Sequence, residues 1–337
     1  MDLSVKKKIK KNIKTTLKNV LPYGIATHIF PEKKITEGTP PSLYNEKGER
    51  VLVAYLQDYH VAHSPYTFVS GRLPKRILWD RFNYRLNTQF YSHQEIFKLQ
   101  EKNDGQRQFG ILVESENVVP DDYERLIKNP DAVKRLDALF THSDRLLDKY
   151  ENAFFIPGGG SWFGTPRRGG VLTDQAFYNK SKLISIVSSI KFFRPLSTLR
   201  SELALEMAKI GLGDVMGTIV GKYVSIADSL TDSMYSVGIE NTASKYYFTE
   251  KLINCFAAMA VPVYYGASEV TKFFNPDGII LIKEPTVECA IDTIKRNCSR
   301  EDYESRKEAI IDNYNRVQNY LCIEDYLTAN YMDKFVF

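Results

Sequence analysis

Cysteine is scarce in this chain: Cys255, Cys289, Cys298 and Cys322 are the only four among 337 residues, and no two form a CxxC pair. That spacing excludes a zinc ribbon or a disulfide framework and leaves four reduced, mostly core thiols. No apolar run approaches the ~20 residues needed to cross a bilayer. No apolar segment with a cleavage site follows the amino-terminal charges, so a cytoplasmic chain is expected. Histidine is rare too. Of five, His60 and His63 make an HxxH pair without a third ligand at familiar spacing, so a loop or acceptor-side role is expected there and no metal site.

What is present is apolar enough, at 43%, for two αβ domains with separate cores. The net charge of +4 is local in origin. Seven lysines between Lys6 and Lys18 face only Asp2 in residues 1–20, leaving the remainder at −2. Val5, Ile9, Ile13, Leu17, Val20 and Leu21 form a stripe at three- and four-residue steps until Pro22. Residues 1–22 therefore read as a basic amphipathic helix suited to an anionic membrane surface, with a solvated basic tail as the alternative. Neither arginine nor aromatic residues accompany the lysines, so nucleic acid is not an expected partner.

Residues 235–266 hold the densest pattern. Tyr235–Ile239 reads as a strand that ends in Glu240 and Asn241. Thr249 is placed to cap a helix with Leu252, Ile253, Phe256, Ala257 and Ala260 on one face, and Val261–Tyr265 reads as a second strand stopped by Gly266. Open αβ sheets bind ligands beyond the carboxyl ends of their strands, where helix amino termini face outward. Glu240, Asn241, Tyr247, Glu250 and Lys251 all fall there. A lysine in a first helical turn opposes the macrodipole, a placement that a bound anion would explain and that a solvated side chain would also satisfy.

The Glu-Asn pair at 240, a five-residue gap, Tyr-x-Thr-Glu-Lys through Lys251 and the Val-Pro-Val strand ending in glycine resemble the donor-site signature of the α1,3/4-fucosyltransferases. The resemblance implies an α/β GT-B fold, two Rossmann-like domains across a cleft, and an inverting enzyme that takes L-fucose from GDP-fucose without a metal or other cofactor. The absence of any DxD agrees with a metal-free site. The family's pattern also implies an acceptor-domain general base at Glu116, where Glu116-Asn117 precedes Pro120, with Glu114 as the fallback. Arg200, early in a helix, and Ser189, in the preceding loop, would contact the donor. Ile190 stands where the family usually has asparagine, and Arg194 is a second candidate cation. The implied acceptor is a galactose- or N-acetylglucosamine-containing oligosaccharide or lipid-linked glycan, as in lipopolysaccharide assembly. A transferase with another nucleotide sugar and a non-catalytic carbohydrate-binding protein are the rival readings.

Short apolar runs at 51–56, 77–79, 109–113, 138–141 and 153–156 place strands of an acceptor-binding domain over residues 45–160. Residues 157–170, with six glycines and two prolines, read as a hinge. A nucleotide-sugar domain follows at 171–320, with a strand at 183–188 and a helix from a Ser197 cap to Ile210, stopped by Gly211. Residues 321–337 form an aromatic tail expected to pack back on the body.

Overall fold

The computed structural model describes residues 42–58, 74–164, 169, 170, 172, 180–190, 192 and 194–336. The basic helix expected at 1–22 and the His60/His63 pair lie outside them. In the first unit, alternating strands and helices build a seven-stranded sheet. Its strands are β1 (Ser42–Tyr44), β2 (Arg50–Gln57), β3 (Ile77–Asp80), β4 (Thr88–Ser92), β5 (Arg107–Ile111), β6 (Ala138–Thr141) and β7 (Ala153–Phe155). The order is β1-β2-β4-β5-β6-β7, with β3 also on β2, and every pairing except β1 with β2 is parallel. Helices α1 (Pro120–Lys128), α2 (Pro130–Lys134) and α3 (Asp144–Lys149) lie among these strands. They bury Tyr123, Leu126, Val133 and Leu146 against Val53, Tyr91 and Leu139.

The second unit comprises β8 (Lys182–Val187), α4 (Pro195–Ile210), β9 (Asp214–Met216), α5 (Ile226–Thr231), β10 (Ser233–Ser244), α6 (Glu250–Ala257), β11 (Val261–Ala267) and β12 (Ile280–Leu281). Helices α7 (Val287–Asn297), α8 (Arg300–Ser305), α9 (Lys307–Val317) and α10 (Ile323–Tyr331) follow. The five strands are all parallel, in the order β12-β11-β10-β8-β9. The connections out of β8 and β10 therefore run in opposite directions. That leaves a crevice between their carboxyl ends, the switch point at which doubly wound sheets take ligands. Two parallel αβ units of this kind are the GT-B layout that the sequence implied.

Three local readings change. Helix α4 begins at Pro195, whose fixed φ and missing N–H suit the first helical position. Ser197 lies inside the first turn, its hydroxyl donating to the Arg194 carbonyl at 2.9 Å. Gly211, at φ +68°, ends the helix as expected. Strand β10 runs five residues beyond Ile239 and carries Glu240 and Asn241 within it. The glycine-rich segment is no free hinge at its start: Pro157, Gly159, Gly160 and Ser161 are buried, and the Gly158 amide donates to the Phe248 carbonyl at 3.0 Å.

The tail packs as expected, and on the first unit. Ile323, Leu327 and Phe335 join Leu52, Phe90, Phe109 and Phe140 in one core beneath the first sheet. Trp79 Nε1 donates to Glu324 Oε1 at 2.8 Å, the Lys75 amide to Asp325 Oδ1 at 2.7 Å, and Thr88 Oγ1 to the Val336 carbonyl at 2.6 Å. Burying one large apolar side chain stabilises by about 1.5–3 kcal/mol, so α10 is an integral layer of that unit.

Candidate functional site

The second unit gathers its predicted cluster at the β8/β10 switch point. Glu240, fully buried in β10, accepts the Thr249 amide (2.8 Å) and hydroxyl (2.6 Å), which fixes the entry to α6. Gly266 is required beside it, because a Cβ there would stand 2.4 Å from Glu240 Cγ. Thr249 caps α6 as expected, accepting from the Lys251 amide. Lys251 Nζ lies 2.8 Å from Glu250 Oε1, 3.0 Å from Thr249 Oγ1 and 3.5 Å from Glu240 Oε2.

Arg200 reaches this cluster from α4. Its Nη1 donates to the Ile239 carbonyl at 2.5 Å and its Nη2 to Asn241 Oδ1 at 3.5 Å. Burial pulls its pKa down, opposed by the charges of Glu250 and Glu240. For Lys251, burial would lower the pKa, but Glu250 and Glu240 outweigh it and Arg200 is the nearby cation working against them; the net direction is upward. Burial likewise opposes ionisation of Glu250, yet the Lys251 charge and hydrogen bond hold its carboxyl below the ordinary range. Glu240 goes the other way, raised by burial. Two cations and two carboxylates thus share one cluster, and its cations can exchange an internal carboxylate for an incoming diphosphate. Ser189 sits in the loop after β8, its carbonyl accepting from Ser201 Oγ at 3.1 Å.

The first unit faces this cluster. The ring of Tyr247, fully buried, lies 4.6 Å from that of His142. Burial pushes the Tyr247 phenol well up, and Glu114 is the next cause, ahead of Glu240 and Glu250. Gly158 lies on another side of the same ring, since a Cβ there would be 2.5 Å from Tyr247 Cε2. Arg194 Nη2 approaches the Val118 carbonyl at 3.5 Å, and Lys245 Nζ bridges to Asp144 (3.4 Å) and Asp148 (3.6 Å) on α3.

Glu114 and Glu116 share the turn after β5 but differ in surroundings. Glu116 is tied to its own unit: Ser143 Oγ donates to Oε1, and Arg145 Nη1 donates to Oε2 at 3.0 Å. Among the described residues, Glu114 Oε1 accepts the amide of the next residue, Ser115, at 2.9 Å. The backbone at Glu114 is braced by His93, whose Nε2 accepts the Val113 and Glu114 amides at 3.3 and 3.2 Å. Tyr123 OH donates to the Glu114 carbonyl and meets His142 Nε2 at 3.1 Å. Sequence reasoning missed His93 and His142. Both follow the carboxyl end of a strand, β4 and β6, so the rule that found Glu114 reaches them as well. Among the described residues no three His, Cys, Asp or Glu side chains gather as a metal site, and no helix is long and apolar enough to cross a membrane.

Residues 179–288 match the family model described as Glycosyltransferase family 10 (fucosyltransferase) C-term. The second unit thus resembles the carboxyl-terminal domain of glycosyltransferase family 10. The alpha-(1,3)-fucosyltransferase FucT of Helicobacter pylori is 30% identical to this chain over 86 residues, which is 25% of this chain and 18% of that protein. The match thus spans under a fifth of the relative's length. Among solved structures, an alpha1,3-fucosyltransferase with GDP aligns at a TM-score of 0.47 and 14% identity, covering 88% of this chain and 91% of that one. TarM aligns at a TM-score of 0.48 and 12% identity, covering 73% of this chain and 54% of its own. The family 10 match contains Ser189, Arg200, Glu240, Asn241, Tyr247, Glu250 and Lys251.

Proposed function

We propose that this protein is an inverting, metal-independent α1,3-fucosyltransferase that moves L-fucose from GDP-fucose to a hydroxyl of a galactose- or N-acetylglucosamine-containing glycan. The observation that carries the reading is the convergence of Arg200 and Lys251, from two different helices, on consecutive residues of β10, the Ile239 carbonyl at 2.5 Å and Glu240 Oε2 at 3.5 Å, within the stretch that matches the family 10 model. In the transfer, the acceptor oxygen bonds to the anomeric carbon as its bond to the diphosphate oxygen breaks. The acceptor proton goes to a carboxylate of the Glu114–Glu116 turn, and GDP leaves with the bonding pair. Arg200 and Lys251 neutralise the charge that grows on the leaving diphosphate. Asn241 and Tyr247 hydrogen-bond phosphate or sugar, Glu250 holds a sugar or ribose hydroxyl, and Glu240 acts through Thr249 and Lys251, which it holds in place.

The resemblance assigns the base to Glu116. A second reading, Glu114, is favoured by the engagement of both Glu116 oxygens on Ser143 and Arg145 and by the reach of the Glu114 charge to Tyr247. The acceptor is taken to be an oligosaccharide or lipid-linked glycan, with residues 1–22 meeting an anionic membrane surface at the inner face. Calorimetry with GDP-fucose, UDP-sugars and TDP-sugars tests the donor. GDP-fucose is expected to bind at least tenfold more tightly than the others, and a UDP- or TDP-sugar that binds better would overturn the assignment of fucose.

A further inference from the structure

Just beyond β5, two consecutive backbone amides bond to a side chain in place of a neighbouring strand. The Leu112 amide still donates to the Phe140 carbonyl, at 2.9 Å. The next two, Val113 and Glu114, both donate to His93 Nε2, at 3.3 and 3.2 Å. Buried N–H groups left without an acceptor are costly, so one nitrogen serves both donors. His93 is 3% exposed and holds a left-handed backbone, φ +51°, directly after β4, the strand beside β5. A non-glycine residue keeps that conformation where its surroundings over-determine it, as they do at functional sites.

An Nε2 that accepts from two N–H groups carries no hydrogen of its own, so the ring proton sits on Nδ1. Asp122 Oδ2 stands 3.2 Å from Nδ1, out of line for a full hydrogen bond, and its charge favours the proton at that atom. Tyr123, the next residue of α1, donates its hydroxyl to the Glu114 carbonyl. Consecutive residues of one helix thus govern both backbone groups of Glu114, Asp122 through His93 and Tyr123 directly. An imidazole also brings its lone pair without setting a further negative charge beside Glu114 and Glu116, as a carboxylate acceptor would.

We propose that His93, oriented by Asp122, is a positioning residue: its Nε2 lone pair fixes the backbone at Glu114, and with it the direction in which the acidic turn presents its carboxylates. The role rests on the transferase reading for the reaction that the turn serves, but the brace can be read without transfer. Imidazole nitrogen NMR on the wild-type chain reports the tautomer, and hydrogen exchange reports the Val113 and Glu114 amides. An unprotonated Nε2 and slow exchange at both amides are expected; a hydrogen on Nε2 overturns the proposal whatever the variants do. His93→Met and His93→Gln share one length and one backbone strain and differ in the acceptor. Met should speed exchange of the two amides at least tenfold. It should also lower kcat about 10²-fold, the scale of a reacting group misplaced by about 1 Å, with acceptor KM and GDP-fucose affinity within about twofold. Gln, whose Oε1 can accept both amides, should recover most of that kcat. Equal kcat in the two variants at similar unfolding midpoints overturns the positioning role. Asp122→Ala should lower kcat about fivefold alone and no further in His93→Met, since the two act as one unit, and additive losses overturn the part given to Asp122. A wild type with the expected tautomer and protected amides that transfers nothing supports the brace and condemns the transferase reading.

Discussion

The imidazole of His142, at the end of β6, lies with its centroid 4.6 Å from the ring of Tyr247, which leads into α6 of the other unit. A side chain bonded to the Glu114 turn therefore packs against a residue of the donor signature. The Glu114 turn and the Arg200–Lys251 cluster are thereby linked through one ring contact between the two units.

Burial holds His142 neutral, its pKa pushed down to about 3 against the contrary pull of the Glu114 carbonyl. The unfolded chain, titrating near the ordinary 6.5, binds the proton that the folded state refuses. Stability should thus be full above about pH 6.5 and fall as pH drops toward 3. By pH 4 the loss is about 3 kcal/mol from this group alone. Urea unfolding at pH 7, 5.5 and 4 reads it. His142→Phe keeps a ring against Tyr247 and should flatten most of that slope.

Removing either cation tests the diphosphate clamp. Arg200→Ala and Lys251→Ala are each expected to cut kcat/KM by about 10²–10³-fold, the scale of a lost charge-stabilising donor. Arg200→Lys should recover little, because a point charge cannot span both the Ile239 carbonyl and Asn241. Single-turnover rates beside donor affinities by calorimetry make the measurement. Near-normal turnover in both alanine variants would refute the clamp.

Glu114→Gln and Glu116→Gln separate the two candidate bases. The variant that removes the proton acceptor should lose about 10²–10⁴-fold in transfer with donor affinity retained. If Glu116 only braces the turn through Ser143 and Arg145, its variant should lose far less and should show altered acceptor KM.

Lys180 predicts a stability effect remote from the chemistry. Its Nζ donates to the carbonyls of Leu230 (2.8 Å), Thr231 (3.0 Å) and Ala258 (2.7 Å), tying the lead-in to β8 to the ends of α5 and α6. Burial draws its pKa down to about 7, yet all three carbonyls need a proton. Lys180→Met should destabilise by about 3 kcal/mol, since buried acceptors lose their donor. Thermal and urea unfolding both report it, and an unchanged midpoint would show that the carbonyls find other partners.

The second unit was readable because its chemistry and its periodicity coincide. β10, α6 and β11 each combine a clear apolar period with polar residues at the strand end, and Thr249 and Gly211 mark helix ends as expected. The first unit hid one central strand. β4 reads Thr-Gln-Phe-Tyr-Ser, too polar to stand out, yet all five residues are buried. Its polar groups are paid for by tertiary partners that no local pattern announces, such as Thr88 Oγ1 on the Val336 carbonyl at 2.6 Å. The roles of Glu114 and Glu116 were likewise invisible. Ser143 and Arg145, which distinguish the two acids, come 27 and 29 residues after Glu116.

The placement of α10 bears on the order of assembly during synthesis. Phe90, Phe109 and Phe140 line a sheet face whose cover, Ile323, Leu327 and Phe335, is translated nearly two hundred residues after β6. The amino-terminal half therefore leaves the ribosome with that face bare, and it must wait for the last stretch of chain, or borrow a chaperone, before its own core can close.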